Sequence, residues 1–231
     1  MSQTIFITGA NRGIGLALST VLLEGGHTVI GACRKPETLK ALASKFPNLK
    51  PVALDVSDDA SAAACASATA KLTDRLDAVC NIAGVMPQPY DAKLEDLDFQ
   101  VMRDCLETNL IGPLRVAKAL LPLLRKGKNP RLLNMTSGLG SIGRTDNPNF
   151  YAYGASKAAL NKVTRTESFA LKADGVTVVT LDPGWVKTDM GGPNAQLEPR
   201  VSASAIAATL LKLDLSWTGK FLYNDGTEIP W

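Results

Sequence analysis

Seven short apolar runs recur along the chain, and most of the gaps between them carry the spacing of a helix. The runs are TIFITG at 4–9, HTVIGAC at 27–33, KPVALDV at 50–56, LDAVCNIAG at 76–84, RLLNMTS at 131–137, VTVVTLDPG at 176–184 and KFLYND at 220–225. Helical spacing covers 13–24, 58–74, 96–126, 153–173 and 201–213. Strands apolar along their whole length are buried on both faces, and parallel neighbours need a crossover about as long as a helix. The alternation therefore predicts an α/β fold: a Rossmann-like, doubly wound, mostly seven-stranded parallel sheet with helices on both faces. No repeat, linker tract or break in composition interrupts it, so residues 1–231 are expected to form a single domain. The alanine-rich stretch DASAAACASATAKL at 59–72 fits as a covering helix, because alanine is the best helix former and Asp58 or Asp59 can cap it.

Charge and residue usage remove several function classes. A net charge of +3, from 25 basic and 22 acidic side chains, is too small to imply a nucleic-acid partner. The basic cluster RKGKNPR at 125–131 falls at a predicted helix end, where cations complement the dipole. Cys33, Cys65, Cys80 and Cys105 never form a C-x-x-C pair, which speaks against a structural metal site and for small buried fillers. No apolar run reaches membrane-spanning length and no leader precedes the first strand, so a cytoplasmic protein without a membrane partner is expected. His27 is the only histidine and opens a strand. Hydrolytic triads, Cys-His dyads and multi-histidine metal sites all need an imidazole beside the nucleophile or metal, so hydrolase readings start badly.

The first strand runs into TGANRGIG, with Gly9, Gly13 and Gly15 just ahead of an apolar helix. Glycine lets the backbone approach a pyrophosphate, and the helix offers free N–H groups and a positive dipole end. The spacing is G-x-x-x-G-x-G, and its strand–loop–helix context favours nucleotide binding over a mere tight turn. Thr8 and Asn11 can brace the turn. The second strand should end near the adenosine ribose, where an acid suits a free 2′-hydroxyl and an arginine suits a 2′-phosphate. Here Cys33 stands where the acid would be and Arg34 and Lys35 follow, with Arg12 in the glycine loop able to approach the same phosphate. NADP(H) is therefore expected over NAD(H).

The segment NFYAYGASK at 149–157 offers two tyrosines and one lysine. On a helix, residues four apart share a face about one turn (~5.4 Å) apart, so Tyr153 can meet Lys157 and Tyr151 cannot. Alone, such a pair could simply pack and solvate a helix.

Taken together, these motifs resemble the short-chain dehydrogenase/reductase family, in order from residue 4 to 231. TGANRGIG is similar to its glycine motif, NIAG at 81–84 to its NNAG segment, YGASK to its Tyr-x-x-x-Lys, and DPGWVKTDM at 182–190 to its Pro-Gly loop. PGWVKTDMGG and the ending NDGTEIPW resemble the C-factor-like and Sniffer-type carbonyl reductases within the family. The resemblance implies a catalytic set of Asn109, Ser137, Tyr153 and Lys157. It implies cofactor contacts from Gly9, Asn11, Arg12, Gly13, Ile14 and Gly15, with Asp55 and Val56 on the adenine side. Asn81, Ala83 and Gly84, then Pro183, Gly184, Val186 and Thr188, would complete the set with Tyr153 and Lys157. Three features depart from the family pattern: Ile82 replaces the second Asn of NNAG, the Ser137–Tyr153 interval is long enough to make Ser141 a rival serine, and the C-terminal substrate region is short.

The activity so implied is NADPH-dependent reduction of an aldehyde or ketone, reversible in principle, with Tyr153 as general acid. A free phenol titrates about three units above neutral pH, a gap of about 4 kcal/mol. An ammonium about 4 Å away at an effective dielectric of about 20 supplies roughly that amount, so Lys157 is expected to lower the phenol. Ser137 would donate to the substrate oxygen, and Asn109 would hold backbone and water as a relay from Lys157 to solvent. Tyr151, Trp185, Met190 and Met86 could wall an apolar chamber for a small-molecule carbonyl substrate, or each could be core. A substrate loop is expected at about 184–200, and the helical segments 96–126 and 153–173 would pair in a homodimer or homotetramer. The rival class is an NADP(H)-binding signalling or sensor protein with little or no turnover, which would have no need of a tuned acid.

Overall fold

The computed structural model describes residues 2–87 and 91–231. Its strands are β1 (Thr4–Thr8), β2 (Thr28–Cys33), β3 (Leu49–Ala53), β4 (Ala78–Asn81), β5 (Arg131–Met135), β6 (Thr177–Asp182) and β7 (Phe221–Tyr223). They form one sheet in the order β3-β2-β1-β4-β5-β6-β7, and every pairing is parallel. The order reverses between β1 and β4, the switch point at which an open parallel sheet leaves a crevice beyond its carboxyl ends.

Alternation along the strands divides the core in two. Ile5, Ile7, Leu133, Val179 and Leu181 pack against α1 (Gly13–Glu24) and α7 (Pro199–Lys212), through Leu18, Leu22, Ile206 and Leu210. Phe6, Val79, Leu132 and Val178 face the other way, toward α3 (Asp59–Leu72) and α5 (Gly112–Leu124), meeting Cys65, Val116, Leu120 and Leu124. Successive strand side chains point to opposite faces, so unbroken apolar runs serve both layers at once. All four cysteines are free and buried. Among the described residues no helix is long and apolar enough to cross a membrane.

Several predicted elements end early, each time because side chains take over the backbone bonds. The run at 50–56 leaves the ladder after Ala53: Asp55 N–H donates to Ser61 Oγ at 2.8 Å, while the Asp55 carboxylate accepts from Ser57 N–H at 3.0 Å. The run at 76–84 stops at Asn81, since Ile82 and Ala83 N–H both donate to Thr8 Oγ1 at 2.9 Å. Thr8 thus braces β1 to the end of β4 rather than the glycine turn. Asp58, not Asp59, caps α3 by accepting from Ser61 N–H at 2.7 Å. A short 3₁₀ turn (Pro36–Leu39) and α2 (Lys40–Lys45) fill the β2–β3 connection, where too few apolar positions gave a helical pattern.

The predicted helix 96–126 is three pieces: α4 (Phe99–Leu106), a π-helical turn (Glu107–Ile111) and α5. Pro113 has no N–H to offer the Asn109 carbonyl four residues back, so the α-helical ladder cannot pass through this point. The longest helix, α6 (Tyr151–Ala170), begins straight after Phe150, which sits in the left-handed region at φ 64°.

Candidate active site

The carboxyl ends of the strands open onto a cleft of about 710 Å³. Its floor is the glycine loop. Gly9 holds φ +66°, and a Cβ on Gly15 would lie 2.2 Å from the Gly9 carbonyl oxygen, so α1 can start this close to β1 only with glycine there. Asn11, Arg12, Gly13 and Ile14 continue the floor, and Arg34, Asp55 and Val56 form one end. Ala83 and Gly84 line the middle, Tyr153 and Lys157 the far side, and Pro183 and Thr188 the roof.

Three expected cofactor contacts lie elsewhere. Asn81 is 2% exposed and turns into the seam between sheet and α5, donating to Asn134 Oδ1 at 2.8 Å and to the Pro113 carbonyl at 3.3 Å. Val186 is buried behind the roof, where it bridges to Leu197. Gly184 stands outside the cleft lining, and a Cβ on it would meet Leu197 and Tyr223 at 2.7 Å. Lys35 is exposed and outside the cleft, so Arg34 and Arg12 are the cations of the original set that reach it. Arg12 is paired across the cleft with Asp189 at 3.5 Å, between side chains 60% and 85% exposed. Lys187 and Arg200 also line the cleft, bound to Glu198 and Glu24 respectively at 2.6 Å. Their only sequence signal is basic residues shortly after a Pro-Gly turn.

Tyr153 and Lys157 lie on one face of α6, with Lys157 Nζ 5.6 Å from the centroid of the Tyr153 ring. Lys157 is 4% exposed and donates to the Met135 carbonyl at 2.9 Å. Burial depresses its ammonium to about 8, against opposing pulls from Cys105 and Asp182. Burial also pushes the Tyr153 phenol well above its ordinary range, and Asp182 adds to this, while a hydrogen bond with Ser137 works the other way. The expectation that Lys157 would lower the phenol is corrected here. Desolvation dominates, and the ammonium is tied to a backbone carbonyl of β5.

Ser137 follows the end of β5 and accepts from Leu139 N–H at 3.2 Å. Its rival Ser141 is 1% exposed and donates to the Pro230 carbonyl at 2.7 Å, which takes it out of contention. Asn109, in the π-helical turn, is fully buried and grips Val85 twice, accepting from its N–H and donating to its carbonyl, each at 2.8 Å. It also donates to Ser156 Oγ at 3.0 Å. A Cβ on Gly84 would lie 3.1 Å from Asn109 Oδ1 and 3.6 Å from Lys157 Nζ, so these three positions are in immediate proximity.

The four apolar candidates do not converge on one chamber. Met190 lines the main cleft, and Tyr151 lines a separate hollow of about 70 Å³ with Pro87, Phe150 and Tyr153. Trp185 is 51% exposed, with its indole N–H donating to the Gly191 carbonyl at 2.8 Å, and Met86 lines neither space. His27 lies at the opposite edge of the sheet, at the start of β2, where Nδ1 accepts from Gln3 N–H at 3.2 Å. Asp182, which sequence reasoning passed over, closes β6 beside the pair, with its carboxylate accepting from Gly138 and Gly184 N–H. An acid directly before Pro-Gly at the end of a buried strand was the available signal.

A family model described as short chain dehydrogenase matches residues 3–198. The C-signal protein of Myxococcus xanthus is 40% identical over 166 residues, covering 72% of this chain and 99% of that protein. Carbonyl reductase Sniffer of D. melanogaster has the same fold with a TM-score of 0.95 and 33% identity, covering 100% of both chains. An NADPH-bound carbonyl reductase from chicken fatty liver gives a TM-score of 0.93 and 32% identity over 100% of this chain and 99% of that one.

Proposed function

The chain belongs to the short-chain dehydrogenase family, and on that premise we propose that it is an NADPH-dependent carbonyl reductase acting on a small aldehyde or ketone. The observation that carries this reading is the meeting of Tyr153 and Lys157 at the end of a glycine-floored cleft, with Ser137, outside the cleft lining, hydrogen-bonded to the phenol. The cleft fits a dinucleotide: a side chain at Gly15 would fill the cradle beside Gly9. Arg12 and Arg34 suit a 2′-phosphate, and the buried Cys33 stands where a free ribose hydroxyl would want an acid. Asp55 and Val56 would flank the adenine, and Ala83, Gly84, Pro183 and Thr188 the nicotinamide half. The two NADPH- and carbonyl-reductase-named structures at 32–33% identity support the same cofactor and substrate class.

Bound NADPH supplies the hydride for carbonyl reduction. The chain's own residues handle the proton. The raised phenol of Tyr153 is protonated at neutral pH, the form a reductase needs in its acid. Ser137 donates a hydrogen bond to the carbonyl oxygen and steadies the charge that gathers there. As Tyr153 gives up its proton, the Lys157 ammonium on the same face of α6, 5.6 Å from the ring centroid, offsets only part of what burial costs the phenolate. Asn109 holds the Val85 backbone against Gly84 and so fixes the wall next to Lys157. The stretch 184–200 forms the substrate loop, and Met190 is its apolar contribution to the cleft. Exposed Phe99 on α4 and Phe169 on α6 are consistent with pairing of these helices in a dimer or tetramer.

A second reading, binding without turnover, is favoured by one observation: the relative named C-signal is 40% identical over 72% of this chain. One assay separates the two. Oxidation of NADPH, and of NADH in parallel, is followed against aromatic aldehydes, diketones and quinones for the wild type and Tyr153→Phe. The reductase reading expects turnover with NADPH and a loss of about 10²-fold or more in kcat for the variant. Equal slow rates in the two proteins would favour binding alone.

A further inference from the structure

Asp182 ends β6 and is 8% exposed. No ion pair is formed by it among the described residues. Its two oxygens are divided between two loops. Oδ2 accepts from Gly138 N–H at 2.9 Å, and Oδ1 accepts from Gly184 N–H at 2.9 Å. Gly138 directly follows Ser137, and Gly184 directly precedes Trp185. The approach is close: a Cβ on Gly138 would lie 3.0 Å from Asp182 Oδ2. The second loop is held from outside as well, since the Pro183 carbonyl accepts from Ser202 Oγ at 2.7 Å and from Asn224 Nδ2 at 2.8 Å.

We propose that Asp182 is a positioning residue for the carbonyl-reductase site: its carboxylate clamps the Ser137 loop to the Pro183–Gly184 loop and places a fixed negative charge behind the Tyr153–Lys157 pair. The inference rests on the reading of that pair given above. The charged and titratable groups around the carboxylate are Lys157 and Tyr153 on α6, Arg144 in the 142–144 turn and Tyr223 on β7, with Cys105 on α4 acting on the same pair. Its charge opposes ionisation of Tyr153 and favours the ammonium of Lys157. Both effects keep the resting site in the protonated state that reduction consumes. Ser137 and the roof loop then move as one body relative to the phenol, although they are separated by more than forty residues of chain.

Two variants test the two halves. Asp182→Ala removes both acceptors, and hydrogen exchange is measured on the cofactor-free chain, so the result does not depend on turnover. Exchange should quicken together in segments 136–144 and 183–190, by about fivefold or more, because each loses a backbone bond. Asp182→Asn removes the charge and keeps one of the two acceptors, its amide nitrogen being unable to accept the second N–H, and its kcat and KM are followed across pH with NADPH. We expect kcat to fall by roughly tenfold with KM changed less than about threefold, and the alkaline limb of kcat to move down by about one pH unit. Unchanged exchange in either segment, or an unmoved limb, overturns the proposal. Were the wild type itself inert toward NADPH and carbonyls, the reductase reading would fail, and the exchange result would still decide the clamp.

Discussion

Lys157 illustrates how a residue proposed for the chemistry works against stability. Its ammonium is buried and its pKa is depressed to about 8 in the folded chain. The unfolded chain therefore binds more protons between about pH 8 and pH 10.5, and stability rises with pH across that window. Below about pH 8 the cost of burying the charge is fully present. Replacing Lys157 with Met should abolish reduction and yet raise stability near pH 7 by about 1–2 kcal/mol, the lost bond to Met135 offsetting part of the gain. Urea unfolding at about pH 7 and pH 10 checks this, and the advantage of the variant should shrink toward the higher pH. At this scale the sequence was most legible where spacing alone determines contact. Tyr153 and Lys157 are four apart and meet. The fifteen expected cofactor positions that line the cleft came mostly from the family resemblance of the motifs instead. It was least legible where a side chain acts through the backbone of a distant loop. Nothing local to Asn81 says that it turns toward Asn134, and nothing local to Asp182 says which two loops it joins.

Helix α6 shows the same tension along a whole element. The face it lays on the sheet is polar: Ser156, Lys157, Asn161, Thr164 and Ser168 are all buried. Each is tied down, as when Asn161 donates to the Gly140 carbonyl at 3.1 Å and accepts from Thr180 Oγ1 at 3.1 Å. Periodicity found the helix but not this seam, because hydrophobic patterns are blind to polar residues that are buried with their partners. Further along, Glu167 accepts from Asn134 Nδ2 at 3.0 Å, and burial pushes its carboxyl up to about 7. Between about pH 4.5 and pH 7 the folded chain holds this proton while the unfolded chain releases it, so stability falls as pH rises through that window. Glu167→Gln keeps the acceptor and removes the titration. It should stabilise the chain by about 1–2 kcal/mol at pH 8, after allowing for partial solvent screening, and leave it unchanged near pH 4. Thermal or urea unfolding at the two pH values reads the difference. The π-helical turn is the opposite case. Pro113 was visible in the sequence, but its effect four residues earlier, on the turn that carries Asn109, needed the third dimension.

Across the whole molecule the two edges of the sheet have separate duties. Tyr153, Lys157, Ser137 and the glycine loop gather beyond the carboxyl ends, whereas the amino ends carry a buried polar network with no access to the cleft. Arg131 is 0% exposed and donates to the Leu210 carbonyl at 3.2 Å and to Gln3 Oε1 at 2.8 Å, joining α7 to the start of β1. Asp77 is 1% exposed and accepts from Thr4 N–H at 2.8 Å, from Lys128 N–H at 2.8 Å and from Arg75 Nε at 3.4 Å. The parallel, doubly wound sheet was readable because alternation and parallel pairing follow from apolar runs. This rim was not, since its arginine and backbone N–H donors meet their acceptors only when segments far apart in the chain are neighbours. Asp77→Ala strands two part-buried N–H groups and should cost about 1–3 kcal/mol, or a fall in Tm of roughly 2–12 °C for a chain this long. Below the lowered transition, NADPH affinity and kcat should stay within about twofold of wild type, because the parallel sheet transmits no hydrogen bond of this network to its far edge. A calorimetric scan and a titration with NADPH on the same preparation test both halves. Loss of affinity in proportion to loss of stability would mean that the two edges are one cooperative structure, and that the carboxyl-end site depends on the amino-end rim for its shape.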